Sequence, residues 1–194
     1  DYNHFIKLSK LTMKGFGWKN QSKREKENID QFIQIAFNLQ AQGRKLEAAK
    51  YYQYLIKKGI KDYRVFSNYG AFLNEIGKYK DAELKLKKAI EFNPKYPNAY
   101  YNLGYLFIKK GNLRKAEIYL RKAIELKSDF ALAYYNLGFI LKDLGELQEA
   151  KLHTINAINI NPELTDAYYS LSTMSDADTN QKWHRQLFSK NLFH

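Results

Sequence analysis

The chain has 194 residues, 45% of them apolar, with a formal net charge of +12 and no cysteine. This length and composition predict one domain with a hydrophobic core, and the missing cysteines exclude both a disulfide-stapled mini-fold and a thiolate zinc site. No apolar run approaches the roughly 20 residues that a membrane-spanning helix needs, and "DYNHFIKLSK" lacks the apolar core of a signal peptide, so we expect a soluble, cytoplasmic protein.

The amino-terminal segment, residues 1–28, shows no lasting hydrophobic period. It contains seven lysines and arginines against three acidic residues, which predicts a flexible basic arm. Met13 is a candidate start of the natural chain. The apolar ending "NLFH" leads us to expect a larger polypeptide that continues past His194.

A period of 34 residues governs the sequence after this arm. The hexapeptide "AYYNLG" stands at 99–104 and again at 133–138. The small residues that recur at this interval are Gly43, Gly77, Gly111 and Gly145; Gly70, Gly104 and Gly138; Ala48, Ala82, Ala116 and Ala150; and Ala89, Ala123 and Ala157. The period divides the chain into four full units, 29–62, 63–96, 97–130 and 131–164, and a half unit, 165–173.

The apolar pattern within each unit predicts a helical hairpin. Tyr100, Leu103 and Phe107 fall on one stripe of a first helix, and a second apolar stripe follows within 113–124. Gly111 stands between the two stripes and can adopt the left-handed conformation that ends a helix.

Glycine and alanine allow the helices of a hairpin to pack closely, and proline ends some of the hairpins. Gly104, Ala116 and Ala123 fall where two helix axes must approach to about 8 Å. Pro94 and Pro162 end their units, because proline lacks an amide donor and pushes its predecessor out of the helical region.

The segment "AYYNLGYLFIKKGNLRKAEIYLRKAIEL" resembles the tetratricopeptide repeat, whose pattern has an aromatic residue, a Leu-Gly pair, a glycine turn, two alanines and a closing proline in these places. The resemblance covers 29–173 and implies an all-α, right-handed superhelical α-solenoid of stacked antiparallel helix hairpins. The first unit departs from the pattern, with Ala36 in place of glycine and Leu55 in place of alanine, and Ser172 replaces glycine in the half unit.

Residues 174–194 are predicted to form a linker and a capping helix, with Thr179 as its N-cap and an apolar stripe of Trp183, Leu187 and Phe188. The segment "AAKYYQYLIKKGIKDYRVFSNYG" resembles cyanobacterial tetratricopeptide proteins, some of which continue into a sulfotransferase or another transferase domain.

The sequence offers no candidate catalytic or metal site. His4, His153, His184 and His194 do not have metal-ligand spacing, and His153 is expected at the surface of its hairpin. There is no glycine-rich phosphate loop and no nucleophile beside a base, so we expect no cofactor and no catalysis within this chain. The scattered lysines favour a solvated helix surface, with binding of nucleic acid or an anionic surface as a less favoured alternative.

One polar column follows the predicted first helices. Its members are Gln34, Asn68, Asn102, Asn136 and Ser170. Asn102 lies about 200° around the helix from the apolar Tyr100, which places it on the concave groove that the first helices line. Asparagine costs a helix up to about 0.7 kcal/mol relative to alanine, so its recurrence calls for a reason.

A carboxamide can bond both the C=O and the N–H of a peptide backbone. The spacing of about 10 Å between neighbouring first helices matches the length of about three residues of extended chain. The polar column can therefore hold an extended peptide. It resembles the groove of the tetratricopeptide region of O-linked sugar transferases. The alternative is that repeat duplication copied a structural hydrogen bond.

Aromatic and basic residues accompany the polar column. They are Tyr101, Tyr135, Phe37, Tyr105 and Phe139, with Arg64 and Lys109. The aromatic rings suit a partner's apolar side chains, or equally the seam between adjacent first helices.

The sequence therefore predicts a non-catalytic protein–protein interaction scaffold that binds a protein or peptide as an extended segment. The alternative is the substrate-recognition region of a larger transferase with its catalytic domain beyond the carboxyl terminus. Whether copies of the chain associate is left open.

Overall fold

A computed structural model describes the backbone of residues 18–174 and the side chains of residues 29–174. Every regular element in that range is an α-helix, so the predicted all-α solenoid fold is confirmed. The helices are α1 (Trp18–Ala41), α2 (Lys45–Lys57), α3 (Tyr63–Glu75), α4 (Tyr79–Phe92), α5 (Pro97–Lys109), α6 (Leu113–Leu126), α7 (Ala131–Asp143), α8 (Leu147–Ile160) and α9 (Thr165–Ser172). The predicted capping helix lies outside the described residues.

The described residues fall into two compact units, with the boundary between Lys58 and Gly59. The first unit holds α1 and α2. Helix α1 begins at Trp18, so the helix includes part of the segment expected to be a flexible arm, and residues 1–17 lie outside the described range. Ala36 and Leu55, which depart from the repeat pattern, are both fully buried in this unit.

The second unit contains the hairpins α3–α4, α5–α6 and α7–α8, followed by α9. Its first helices begin at Tyr63, Pro97, Ala131 and Thr165, the residues at which the 34-residue period starts each unit. Local capping explains two of these starts. The Asp62 carboxylate accepts hydrogen bonds from the first-turn amides of α3, and Pro97 at the first turn of α5 needs no amide partner.

The turn inside each hairpin is closed by a glycine with a positive φ. At the end of α5, Gly111 has φ 70°, and its N–H donates to Ile108 O while the N–H of Asn112 donates to Phe107 O. This Schellman arrangement satisfies two terminal carbonyls and requires the left-handed conformation that glycine adopts without cost. The Asn112 side chain then caps α6 through the N–H of Lys115, so one short turn ends a helix and begins the next.

The two helices of a hairpin approach each other most closely at the glycine of the Leu-Gly pair. A Cβ at Gly104 would lie 2.7 Å from Leu120 Cγ and 3.3 Å from Ala116 O, and the corresponding contacts of Gly70 with Leu86 and Ala82 repeat these distances. The predicted close approach at Gly104 and Ala116 is confirmed.

The third hairpin of the second unit makes the same approach with a polar partner. Thr154 replaces leucine, and its Oγ1 would lie 2.5 Å from a Cβ at Gly138. The buried hydroxyl donates to Ala150 O at 2.8 Å, so its hydrogen-bonding capacity is met inside its own helix.

The second helices α6 and α8 are joined by a network of ion pairs. Arg114 contacts Glu146 at 2.8 Å, and Arg121 contacts both Glu117, at 2.9 Å, and Glu149, at 2.8 Å. The arginines in these pairs are exposed, so solvent screens the pairs and each contributes little to stability.

His153 at the edge of this network corrects the sequence prediction, because its side chain is only 13% exposed. The imidazole packs on the Tyr134 ring at 5.6 Å between centroids, and its Nε2 lies 3.4 Å from the Glu149 carboxylate. Burial lowers the pKa of His153 below its ordinary value of 6.5, and the contact with Glu149 opposes this shift.

The substitution Gly104→Ala is expected to destabilise the second unit, because its Cβ would overlap Leu120. Such overpacking costs about 1–3 kcal/mol, partly offset by the roughly 1 kcal/mol that alanine gains over glycine in a helix. Leu120→Ala alone should cost about 2–5 kcal/mol. In the Leu120→Ala background, however, Gly104→Ala should be neutral or stabilising. Urea unfolding of the four proteins measures this coupling, and additive free energies would contradict the close approach.

His153 is expected to make stability fall with acidity in a defined range. The unfolded chain takes up this proton at about pH 6.5 and the folded chain only at lower pH, so the free energy of unfolding decreases as pH drops below about 6.5. His153→Tyr, which copies the residue at the equivalent position 119, removes the titrating group and retains a ring. Its stability should vary less than that of the parent from about pH 7 to about pH 5, measured by urea unfolding. Equal pH dependence of the two proteins would contradict the burial argument, since the other three histidines are common to both.

Candidate functional site

The first helices of the second unit bring four members of the predicted polar column into one register. We call the surface that these helices form the first-helix surface. The four residues are Asn68 on α3, Asn102 on α5, Asn136 on α7 and Ser170 on α9. The asparagines are half-buried and the serine is buried, so the column lies at the base of this surface and not on its exposed crest.

Two of the asparagines join neighbouring first helices. Asn102 Nδ2 donates to Ser67 Oγ at 3.1 Å, and Asn136 Nδ2 donates to the Tyr101 hydroxyl at 3.3 Å. Each bond spans 35 residues and links a repeat to the preceding one. The asparagines therefore have a structural role, and each bond uses one of the two amide hydrogens and none of the carbonyl oxygen.

The polar column is not uniform at its ends. Ser170 is shorter than asparagine, and its buried Oγ has no hydrogen-bond partner among the described residues. Gln34 belongs to the first unit, where its exposed side chain donates to Asn38 one turn along α1. Within the second unit, the structure brings together the members of the column from Asn68 to Ser170.

Tyr101 lies in the seam between α5 and the start of α7. Its ring centroid is 4.9 Å from that of Phe130 and 6.5 Å from that of Tyr105, with which it stacks. Burial raises the pKa of the Tyr101 hydroxyl, while the hydrogen bond from Asn136 acts in the opposite direction. At neutral pH this hydroxyl is a neutral acceptor for the amide.

The other predicted aromatic residues differ in their exposure. Phe139 on α7 is 38% exposed, and Tyr135 is half-buried. Burial raises the pKa of Tyr135, and the nearby Asp166 adds to the shift. Phe37 lies in the first unit, where its ring contacts Tyr52 at 6.1 Å.

The two predicted cations have different surroundings. Lys109 Nζ lies 5.3 Å from the centroid of the Tyr105 ring, which places a positive charge at the edge of the first-helix surface. The Arg64 guanidinium pairs with Asp62 at 2.6 Å, and Asp62 in turn caps α3. Arg64 therefore supports the start of a helix.

Sequence reasoning missed two residues of this surface. Ser67 is the fully buried partner of the Asn102 amide, and no local pattern marks it. Tyr169 is 75% exposed on α9 and continues the column of Tyr101 and Tyr135. The 34-residue interval could have identified Tyr169.

Within residues 18–174, no helix is both long and apolar enough to cross a membrane. The same part of the chain contains no group of three or more histidine, cysteine, aspartate or glutamate side chains that could hold a metal ion.

Comparison with solved structures shows where else this fold occurs. The chain is similar to the crystal structure of MamA, with a TM-score of 0.67 and 25% identity over 85% of this chain and 92% of that chain. It is similar to YrrB, a TPR protein with an unusual peptide-binding site, with a TM-score of 0.62 and 21% identity over 89% of each chain. A mutant O-GlcNAc transferase from Thermobaculum terrenum gives a TM-score of 0.66 and 20% identity over 70% of this chain and 26% of that one.

The sequence itself matches three family models. Residues 72–111 match a model described as a TPR repeat, and residues 97–130 and 119–151 match two models of the tetratricopeptide repeat. No curated protein matches the chain. The matched residues extend from α3 to α8 and carry the glycine turns and the close Gly–Ala approach described above. Residues 72–151 are therefore tetratricopeptide repeats.

Proposed function

We propose that the chain is a non-catalytic scaffold that binds an extended segment of another protein along the first-helix surface of its second unit. The observation that carries this proposal is the pair of inter-repeat bonds from Asn102 and Asn136. They fix two carboxamides in one register on neighbouring helices about 10 Å apart, a spacing that three residues of an extended, polyproline II-like backbone span while returning to the same face.

The fixed amides suit backbone recognition because part of their hydrogen-bonding capacity is not used between the helices. The second amide hydrogen can donate to a peptide carbonyl, and the amide oxygen can accept from a peptide N–H. Since the bonds to Ser67 and Tyr101 already hold the side chains, binding costs less rotamer entropy than it would for mobile asparagines.

Side chains beside the polar column would contact the partner's own side chains. Tyr105 and Phe139 are partly exposed, and aromatic rings bury a large area with few rotatable bonds. Lys109 adds a positive charge over the Tyr105 ring, which favours a partner segment with a carboxylate next to an apolar residue.

A second candidate function is the substrate-recognition region of a larger transferase. It is supported by the structural similarity to the Thermobaculum terrenum O-GlcNAc transferase, of which the matched part is 26% of that chain. Sequencing the complete transcript tests this candidate. A transferase domain encoded after His194 supports it, and a stop codon close to His194 rejects it.

Asn102→Ala is expected to weaken peptide binding, and Ser67→Ala serves as its matched control. Both substitutions remove the same inter-helix hydrogen bond, so both should lower the free energy of unfolding by about 1 kcal/mol. Only Asn102→Ala removes a group that reaches a ligand, because Ser67 is fully buried.

The probe is a peptide selected on the parent protein from a phage-displayed random library long enough to span three repeats, about nine residues. Its Kd should rise about tenfold in Asn102→Ala and less than about twofold in Ser67→Ala. Equal loss in both variants would make the asparagine purely structural. A selection that enriches no peptide would reject the proposed function itself.

A further inference from the structure

Exposed apolar side chains recur on the second helices, away from the proposed peptide site. Leu84 on α4 is 55% exposed, Ile118 on α6 is 65% exposed and Leu152 on α8 is 56% exposed. They are 34 residues apart and occupy the same place in three consecutive hairpins. A single exposed leucine is ordinary, but three in one register form an apolar row across the second unit.

Basic residues flank this row on two of the three helices. They stand four residues before and four residues after the apolar residue, which puts all three on one ridge of the helix. The flanking residues are Lys80 and Lys88 around Leu84, Arg114 and Lys122 around Ile118, and Gln148 and Asn156 around Leu152. The row is therefore apolar along its length and basic at two of its three positions.

Several of these cations have carboxylate partners within the chain, and Arg114 has two, Glu146 and the less exposed Glu117. Lys88 contacts Glu91 at 2.7 Å, and Arg114 contacts Glu146 at 2.8 Å. The side chains of Lys88 and Arg114 are 44% and 64% exposed, so these pairs contribute little to stability. A partner's carboxylate can replace the present one at small cost.

The spacing of the row matches the heptad period of an α-helix. Arg121 of α6 contacts Glu149 of α8 at 2.8 Å, so these second helices are neighbours, and adjacent helices lie about 10 Å apart. Seven residues of an α-helix rise about 10.5 Å and return to nearly the same face.

We propose that the Leu84–Ile118–Leu152 row docks an acidic amphipathic helix of a partner protein, with an apolar residue at every seventh position and carboxylates beside it. A second copy of the same ridge would set cation against cation. An acidic helix satisfies both the apolar row and its basic flanks.

The test uses the full chain and a synthetic helical peptide of three heptads, with leucine at each seventh position and glutamate at the flanking positions. Fluorescence anisotropy should show binding that weakens as salt is raised, because the flanking charges are screened. The triple variant Leu84→Gln, Ile118→Gln and Leu152→Gln should bind at least about tenfold more weakly. Its melting temperature should be almost unchanged, because all three residues are exposed.

Two controls distinguish docking on this row from binding at the first-helix surface and from attraction between charges alone. Asn102→Ala lies on the first-helix surface and should bind the acidic peptide as the parent does, so failure of the proposed function leaves this result intact. A peptide that keeps its glutamates but has serine in place of its leucines should not bind.

Three outcomes would overturn the proposal. One is absence of peptide binding by the parent, and another is equal binding by the triple variant. The third is that the triple substitution leaves peptide binding unchanged but abolishes association with phosphatidylserine vesicles or self-association measured by analytical ultracentrifugation. That result would assign the row to a lipid surface or to a second copy of the chain.

Discussion

The close approach of two helices at a glycine is the constraint on which the second unit depends. At Gly70 and Gly104 the partner helix comes so near that a single Cβ would overlap a leucine side chain. On the facing helix, Ala82 and Ala116 have only a methyl side chain at this contact, and both are fully buried. Because the same contact recurs in each hairpin, the larger side chains around it, such as Leu103 and Leu137, meet in one continuous core.

This repetition also creates two surfaces of different chemistry. The first helices are joined by buried or half-buried hydrogen bonds, such as that from Asn136 to Tyr101, whereas the second helices are joined by exposed ion pairs, such as that of Arg121 with Glu149. Polar groups at fixed positions suit the recognition of a backbone. Exposed apolar residues with mobile charges beside them suit the side chains of a separate helix. Both proposed sites therefore result from the repeated packing of hairpins, which forms one site from the first helices and the other from the second helices.

The asparagine column shows how a structural and a binding role can share one side chain. A carboxamide has two donors and an acceptor, and the inter-repeat bond uses one donor. In this column Asn102 and Asn136 find hydroxyl partners 35 residues earlier, on Ser67 and Tyr101. Duplication alone explains the recurrence of asparagine but not why the residue that it meets changes from serine to tyrosine.

Much of the fold was readable from the sequence because its determinants are local. The starts of α3 and α5 and the glycine turns depend on residues within a few positions of each boundary, and the glycine turns recur at the 34-residue interval. Helix α1 is the exception, because the sequence placed its start at residue 29 and the helix begins at Trp18.

The sequence by itself therefore determined the hairpins, their order and the columns of residues that share a face. Only the tertiary structure decided which polar groups meet between repeats, that His153 is covered by Tyr134, and that Leu84, Ile118 and Leu152 remain exposed. The physical reason is distance along the chain. Helical period and capping act over about four residues, whereas these contacts join atoms of different helices, whose separation is fixed only when the small residues let the helices pack.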